Sequence, residues 1–312
     1  MLVLQINSKI DCAGVSWNLC NALNKHTNID CRHIIGEEHI FEYPYDIGPR
    51  NFDQDEFDLL IKEADILHFN HIDYFTSSFG HDWTMFLKKK IIVYHSHAGW
   101  EEGKEYHGLF KVGGLYQRYM DAQAVLVCNP NNVGIFEGAK WIPNILPENG
   151  IESKRDFDGI LKVAHCPSHH KYKNVSEMMD LMREINGVEY NLIKVPERNR
   201  FLQLMSRNHL LFDNIWQGYS GLVSLEAMQM GVIPIARLTD VAYKGYCETL
   251  NADNFPIALV SHMIDVKRKI LEFDKNRILL EQKSKEMKEW VKTYYNEKRI
   301  VKMWEEFYNG LV

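Results

Sequence analysis

The chain has 312 residues, 46% of them hydrophobic and 25% charged, with a formal net charge of −6. That length exceeds what a single hydrophobic core usually organises and points to two domains of ordinary size. The acidic balance argues against a surface built to neutralise nucleic-acid phosphates, and the longest apolar runs are strand-sized, too short to span a bilayer.

Residues 1–6 lack a basic leader region and a small-residue cleavage site, so they read as a first strand and not as a signal peptide. Cys12, Cys20, Cys31, Cys128, Cys166 and Cys247 are scattered with no Cys-x-x-Cys pair. That pattern suits reduced thiols in a cytoplasmic protein with at most peripheral membrane contact.

In chain order, the strand at 1–6 leads into a loop at 7–14. Trp17, Cys20, Leu23 and Asn24 then fall at helical spacing. Strands follow at 31–35, 66–69, 91–95 and 124–128, with helical stretches at 57–64, 83–87 and 117–122 between them. Lys88-Lys89-Lys90 reads as a solvated helix end. Alternation of strand and helix implies a parallel sheet covered on both faces.

The two prolines and terminal Gly of 141–150 mark a linker. Alternation then restarts, with strands at 161–166, 189–195, 210–213 and 233–237 and helices at 175–185, 199–207 and 222–230. Residues 266–310 are charged and helical, with Trp290, Tyr294, Ile300, Met303, Trp304 and Phe307 as the apolar face. Two α/β halves joined by such a hinge form a cleft, where folds of this class bind ligands.

The strongest chemical signal lies between Asp213 and Pro234. A strand ends, a loop carrying Gly218, Tyr219, Ser220 and Gly221 follows, and a helix begins near Leu222. Ser220 is the expected N-cap, and the glycines let backbone approach a ligand closely. The N–H groups from Ser220 to Leu222 make a diphosphate site. Glu226, one turn in, has a carboxylate able to accept two sugar hydroxyls. Gly231 closes the helix.

The run Glu226-Ala227-Met228, with Gly231 and Pro234 behind it, resembles the donor-site signature of the GT-B glycosyltransferases, in particular the retaining family four. Gly221 and Glu226 keep the family spacing, and Pro234 comes one residue late. Pro167-Ser168-His169-His170-Lys171-Tyr172-Lys173-Asn174 is similar to a second family segment, in which an Arg and a Lys neutralise the donor diphosphate. Lys173 stands at the Lys position, His170 at the Arg position and Asn174 at a Gly. Glu226 matches the second of the family's paired glutamates, which binds the ribose. The first is replaced by Gly218.

The resemblance implies two Rossmann-like domains facing across a cleft, at 1–148 and 149–290, with a final helix at 291–312 crossing back to the first domain. It also implies transfer of a hexosyl unit from a UDP- or GDP-linked sugar to an acceptor, with retention of configuration. Ile91-Ile92-Val93-Tyr94-His95-Ser96-His97 resembles the strand whose terminal His lies beside the donor sugar. His97 is the candidate and His95 the alternative. Gly14, in the loop after the first strand, sits where the family brings backbone near the phosphates. Val195 begins the stretch that grips the base, while Arg198 beside it reads as a solvated surface residue.

No metal or other cofactor is expected. The His95/His97 pair, with His68, His71, His165 and His169 as further imidazoles, lacks a carboxylate or thiolate set at ligand spacing. Two further readings remain: a GT-B relative that epimerises or hydrolyses a sugar nucleotide, and a non-catalytic sugar-nucleotide-binding protein. An enzyme glycosylating DNA is disfavoured by the net charge. The acceptor, whether glycan, lipid-linked or small molecule, is not specified by the pattern, and its contacts are expected in loops at 73–83 and 100–110.

Overall fold

The structure, a computed structural model of the chain, describes residues 1–7, 11–39, 42–70, 90–97, 122–134, 137–151, 153, 155–167 and 173–312. The helix expected at 83–87, most of that at 117–122, Lys88, Lys89, His71 and the loops at 73–83 and 100–110 lie outside these residues. So do His169 and His170.

The described helices are α1 (Val15–His26), α2 (Gln54–Glu63), α3 (Val175–Arg183), α4 (Arg198–Met205), α5 (Leu222–Gln229), α6 (Asp240–Leu250), α7 (Met263–Lys275), α8 (Arg277–Tyr294) and α9 (Glu297–Asn309). The chain divides into two units, residues 1–147 with 297–312, and residues 148–296. The last helix of the first unit therefore starts at 297. Position 291, where that crossing was expected to begin, falls inside α8.

In the first unit, β1 (Leu2–Asn7), β2 (Asp30–Ile35), β3 (Ile66–Asn70), β4 (Ile91–Ser96), β5 (Ala124–Val127) and β6 (Lys140–Trp141) form one parallel sheet in the order β2-β1-β3-β4-β5-β6. Strands β1, β3 and β4 are buried along nearly their whole length, as strands covered on both faces must be. Helix α1 begins where the buried Asp11 carboxylate accepts the N–H groups of Ser16 (3.0 Å) and Trp17 (2.9 Å). Helix α9 packs on α1, and Glu297 at its start pairs with Lys25 (2.9 Å) and His26 (2.7 Å) at the end of α1. Trp304 of α9 is buried, its indole N–H donating to the Pro143 carbonyl at 2.9 Å.

In the second unit, β7 (Leu161–His165), β8 (Val188–Leu192), β9 (Leu210–Phe212), β10 (Ile233–Ala236) and β11 (Ala258–Leu259) form a parallel sheet in the order β11-β10-β9-β7-β8. Ala164, Ile193, Phe201, Leu202, Met205, Leu211 and Ala227 build a core between this sheet and helices α4 and α5. In both units the strand order reverses beside the first strand, so the switch points lie between β1 and β3 and between β7 and β9. Ligands of open α/β sheets bind outside the carboxyl ends of the strands at such points.

The stretch at 266–310 is built of three helical segments. Asn276 breaks it by accepting the Leu279 N–H at 3.0 Å, capping α8, and a second break falls at 295–296. Its apolar face is thereby divided. Trp290 donates to the Asn254 carbonyl in the second unit (2.7 Å), whereas Ile300 and Trp304 are buried in the first. Among the described residues no helix is long and apolar enough to cross a membrane.

Candidate functional site

The loops leaving β7 and β9 meet at the second switch point. Lys173, at the end of the loop after β7, places its Nζ 2.5 Å from Oδ1 of Asp213, the residue after β9. Asp213 is 2% exposed, and its other oxygen accepts the Gly221 N–H (3.0 Å) and the Ser224 hydroxyl (2.8 Å). One carboxylate thus bridges the Lys173 ammonium to the first turn of α5. Burial alone would raise the Asp213 pKa, but the Lys173 charge and the hydrogen bonds from Lys173, Gly221 and Ser224 outweigh it and hold the pKa below its ordinary value.

Asp213 is the centre of this arrangement, although the sequence suggested it only as a strand end. It also explains a departure from expectation at the helix start. The N-cap is Gly221, in extended conformation with no capping side chain, and not Ser220. Asp213 instead fixes the N-cap residue through its N–H and reaches the first turn through the Ser224 hydroxyl. Ser220 is 2% exposed, its hydroxyl oxygen has no hydrogen-bond partner among the described residues, and its carbonyl accepts the Tyr246 hydroxyl at 2.8 Å.

Asn174 has a left-handed backbone, φ 53°, at the start of α3, and its side-chain oxygen accepts the Ile215 N–H at 3.4 Å. Asn is among the few residues that tolerate this conformation, so it replaces the family Gly without loss of the turn. Gly218 is also left-handed, at φ +71°, and a Cβ there would lie 2.8 Å from Thr239 Cγ2. The loop is built for a glycine at this point, which is why the family's first glutamate has no place in it.

Glu226, 4% exposed, is held by Arg198, whose guanidinium pairs with both carboxylate oxygens. Arg198 is the first residue of α4, so it is not the free surface residue its sequence suggested. Val195 is half-buried and packs, like Val223 of α5, against the core under these two helices. Tyr219 lies in the intervening loop, its carbonyl accepting from Asn214 Nδ2 at 3.5 Å. Leu222 opens α5 and is partly exposed.

Two neighbours are electrically silent. Burial lowers the His165 pKa to about 4, and its Nδ1 bonds the Tyr190 hydroxyl at 2.7 Å. Burial, reinforced by Asp213 and opposed by Lys173, pushes the Cys166 thiol up to about 12, so it is no thiolate nucleophile.

In the first unit His97 follows β4, and its Nε2 lies 2.9 Å from Asn70 Oδ1 at the end of β3. Asn70 in turn donates to Gln5 Oε1 (2.9 Å), Gln5 donates to the Tyr308 hydroxyl (2.7 Å), and that hydroxyl meets His68 Nδ1 (2.6 Å). Since the Asn70 oxygen only accepts, His97 carries its proton on Nε2. His95 is 1% exposed, its ring 4.3 Å from that of His97, so His97 is the more accessible of the pair. Burial, and then the nearby His97, push the His68 pKa well down. Gly14, at φ +69°, packs under the Tyr43 ring, where a Cβ would lie 2.5 Å from Tyr43 Cε1. Packing therefore requires that glycine, and Asp11 already occupies the amides at the start of α1.

The described residues contain no group of three or more His, Cys, Asp or Glu placed to hold a metal. No protein-family model and no curated protein sequence matches the chain. Solved structures match it throughout its length. HepE from Anabaena in complex with UDP-glucose has a TM-score of 0.65 at 13% identity, covering 99% of this chain and 100% of that one. Sucrose-phosphate synthase from Thermosynechococcus elongatus has a TM-score of 0.67 at 13% identity, covering 100% and 99%. UDP-GlcNAc 2-epimerase from Neisseria meningitidis, bound to UDP-GlcNAc, has a TM-score of 0.52 at 13% identity, covering 98% and 99%. The fold is that of the GT-B glycosyltransferases.

Proposed function

We propose that the chain is a glycosyltransferase that moves a hexosyl unit from a UDP- or GDP-linked sugar to an acceptor with retention of anomeric configuration. The observation that carries this reading is the bridge through Asp213, which sets the Lys173 ammonium beside the first turn of α5, with Glu226 one turn further on.

A leaving nucleoside diphosphate gains negative charge as the glycosyl bond breaks, and fixed positive groups lower the energy of that state more than that of the bound donor. Lys173 and the N–H groups at the start of α5 supply the positive ends, with His170 as a second basic group. Tyr219, Ser220, Gly221 and Leu222 form the loop and helix start against the diphosphate. Glu226 takes the ribose hydroxyls, Arg198 orienting its carboxylate, and Val195 lies beside the base. In the first unit, His97 is the residue proposed to face a sugar. This set of charges performs the role for which other transferases recruit a divalent ion, so the reaction is proposed to need none.

The fold itself does not choose the reaction, since an epimerase shares it. Incubation with UDP-, GDP- and ADP-hexoses and a panel of acceptors, with NMR of the products, separates the outcomes. A glycosylated acceptor with the donor's anomeric configuration is expected. Turnover to an altered or free sugar without glycosyl product would overturn the transferase reading in favour of an epimerase or hydrolase.

A further inference from the structure

The end of the first sheet holds a polar group that the proposed mechanism leaves unused. Asn7 is the last residue of β1 and stands in register with Asn70, the last residue of β3, which is itself in register with His95 of β4. Partners in register point to the same face of a parallel sheet, so Asn7 and Asn70 lie side by side at the switch point of the first unit. Asn70 is fully engaged between Gln5 and His97.

Asn7 differs from it. Its side chain is 1% exposed, yet neither Oδ1 nor Nδ2 has a hydrogen-bond partner among the described residues. Its backbone carbonyl is satisfied by Gly36 N–H at 2.8 Å. A buried amide that bonds nothing keeps the full cost of leaving water, and folded proteins rarely retain such a group without a use for it.

We infer that the Asn7 carboxamide is a binding group for sugar hydroxyls, next to Asn70, which holds His97. A carboxamide is uncharged and presents one acceptor and two donors in a plane. Adjacent ring hydroxyls match it, one donating to Oδ1 and its neighbour accepting from Nδ2. A phosphate, which only accepts, would leave Oδ1 unpaired. The glycosyl unit of the donor and a sugar on the acceptor share this chemistry. The inference rests on the proposed function only in taking the ligand to be a sugar.

The test uses the full chain and Asn7→Ala. Melting temperatures are compared first, without ligand. Because the amide has no partner to lose among the described residues, Asn7→Ala should melt at the wild-type temperature or above. A lower melting temperature would show that the amide serves the fold and would overturn the inference.

Calorimetry then compares UDP, GDP and ADP with their glucose conjugates, and turnover is followed with p-nitrophenyl glycosides as acceptors. The expected result is wild-type affinity for the bare diphosphates with about tenfold loss in one sugar arm, the size of one lost hydrogen bond in a buried site. Loss in the conjugate arm assigns Asn7 to the donor sugar, and a raised KM for the glycoside assigns it to the acceptor. Unchanged behaviour in both arms overturns the inference. Failure of the wild-type chain to bind any diphosphate counts instead against the nucleotide site of the second unit, and direct titration of the glycosides then decides the case of Asn7.

Discussion

Lys173 and Asp213 form an ion pair of 2.5 Å with side-chain exposures of 11% and 1%, joining the ends of β7 and β9. Removing one member of such a pair strands the other charge in a poorly solvated site. Asp213→Ala should lower the stability of the second unit by about 3 kcal/mol or more, and Lys173→Met by less, since Asp213 keeps its bonds to Gly221 and Ser224. Denaturant melts of the two variants check the order.

The same pair predicts acid sensitivity. The folded Asp213 pKa is depressed, so its contribution is fully present above its ordinary value of about 3.9 and is lost as pH falls through the folded value. Stability should fall with pH below about 4, and less steeply in Asp213→Asn. Equal slopes in the two proteins would show that Asp213 is not the linked group.

Glu226 accepts both arms of Arg198 in the free chain. Glu226→Ala should weaken nucleoside-diphosphate binding about tenfold to a hundredfold, the range for charged hydrogen bonds to hydroxyls. A 2′-deoxynucleotide should lose affinity in the wild type and lose nothing further in the variant. Unchanged affinity for the ribonucleotide in Glu226→Ala would remove Glu226 from the site.

Gly218 stands where the family carries a glutamate, and its φ of +71° and the Thr239 methyl 2.8 Å from a would-be Cβ forbid a simple restoration. Gly218→Glu should destabilise by about 1–3 kcal/mol without raising turnover. A variant that is both as stable as wild type and more active would contradict this account of the loop.

The Tyr308 hydroxyl accepts from Gln5 and shares a hydrogen bond with His68 Nδ1. Tyr308→Phe orphans both partners and should cost about 1–3 kcal/mol in the first unit. His68 is held neutral by burial, its folded pKa well below the unfolded value of about 6.5. Its contribution is therefore present above about pH 6.5 and is lost as pH falls through the folded value. Acid melts of His68→Gln, which removes the titrating ring, should show a shallower loss between pH 7 and 5.

These residues also show what the sequence makes legible. Glu226, Gly221 and Gly231 stand out because a helix start, its first turn and its closing glycine have fixed local spacing. The parallel sheets were readable from the alternation of apolar runs with helical ones. Asp213 and Arg198 were not, because their partners lie 40 and 28 residues away and local pattern carries no trace of such pairs. Ser220 misled for a related reason, since α5 starts from Gly221, whose N–H is held by Asp213 from a neighbouring strand. The Gln5–Tyr308–His68 chain spans 303 and 240 residues of sequence and exists only once α9 packs into the first unit.

Calorimetric titration of the wild-type chain and Lys173→Met with UDP- and GDP-hexoses, in the presence of a chelator, tests the central claim most directly. The account predicts metal-independent binding of at least one donor by the wild type and about tenfold or greater loss in Lys173→Met, as expected for a charge-assisted contact to phosphate. Absence of any donor binding, or binding that is indifferent to Lys173, would contradict it.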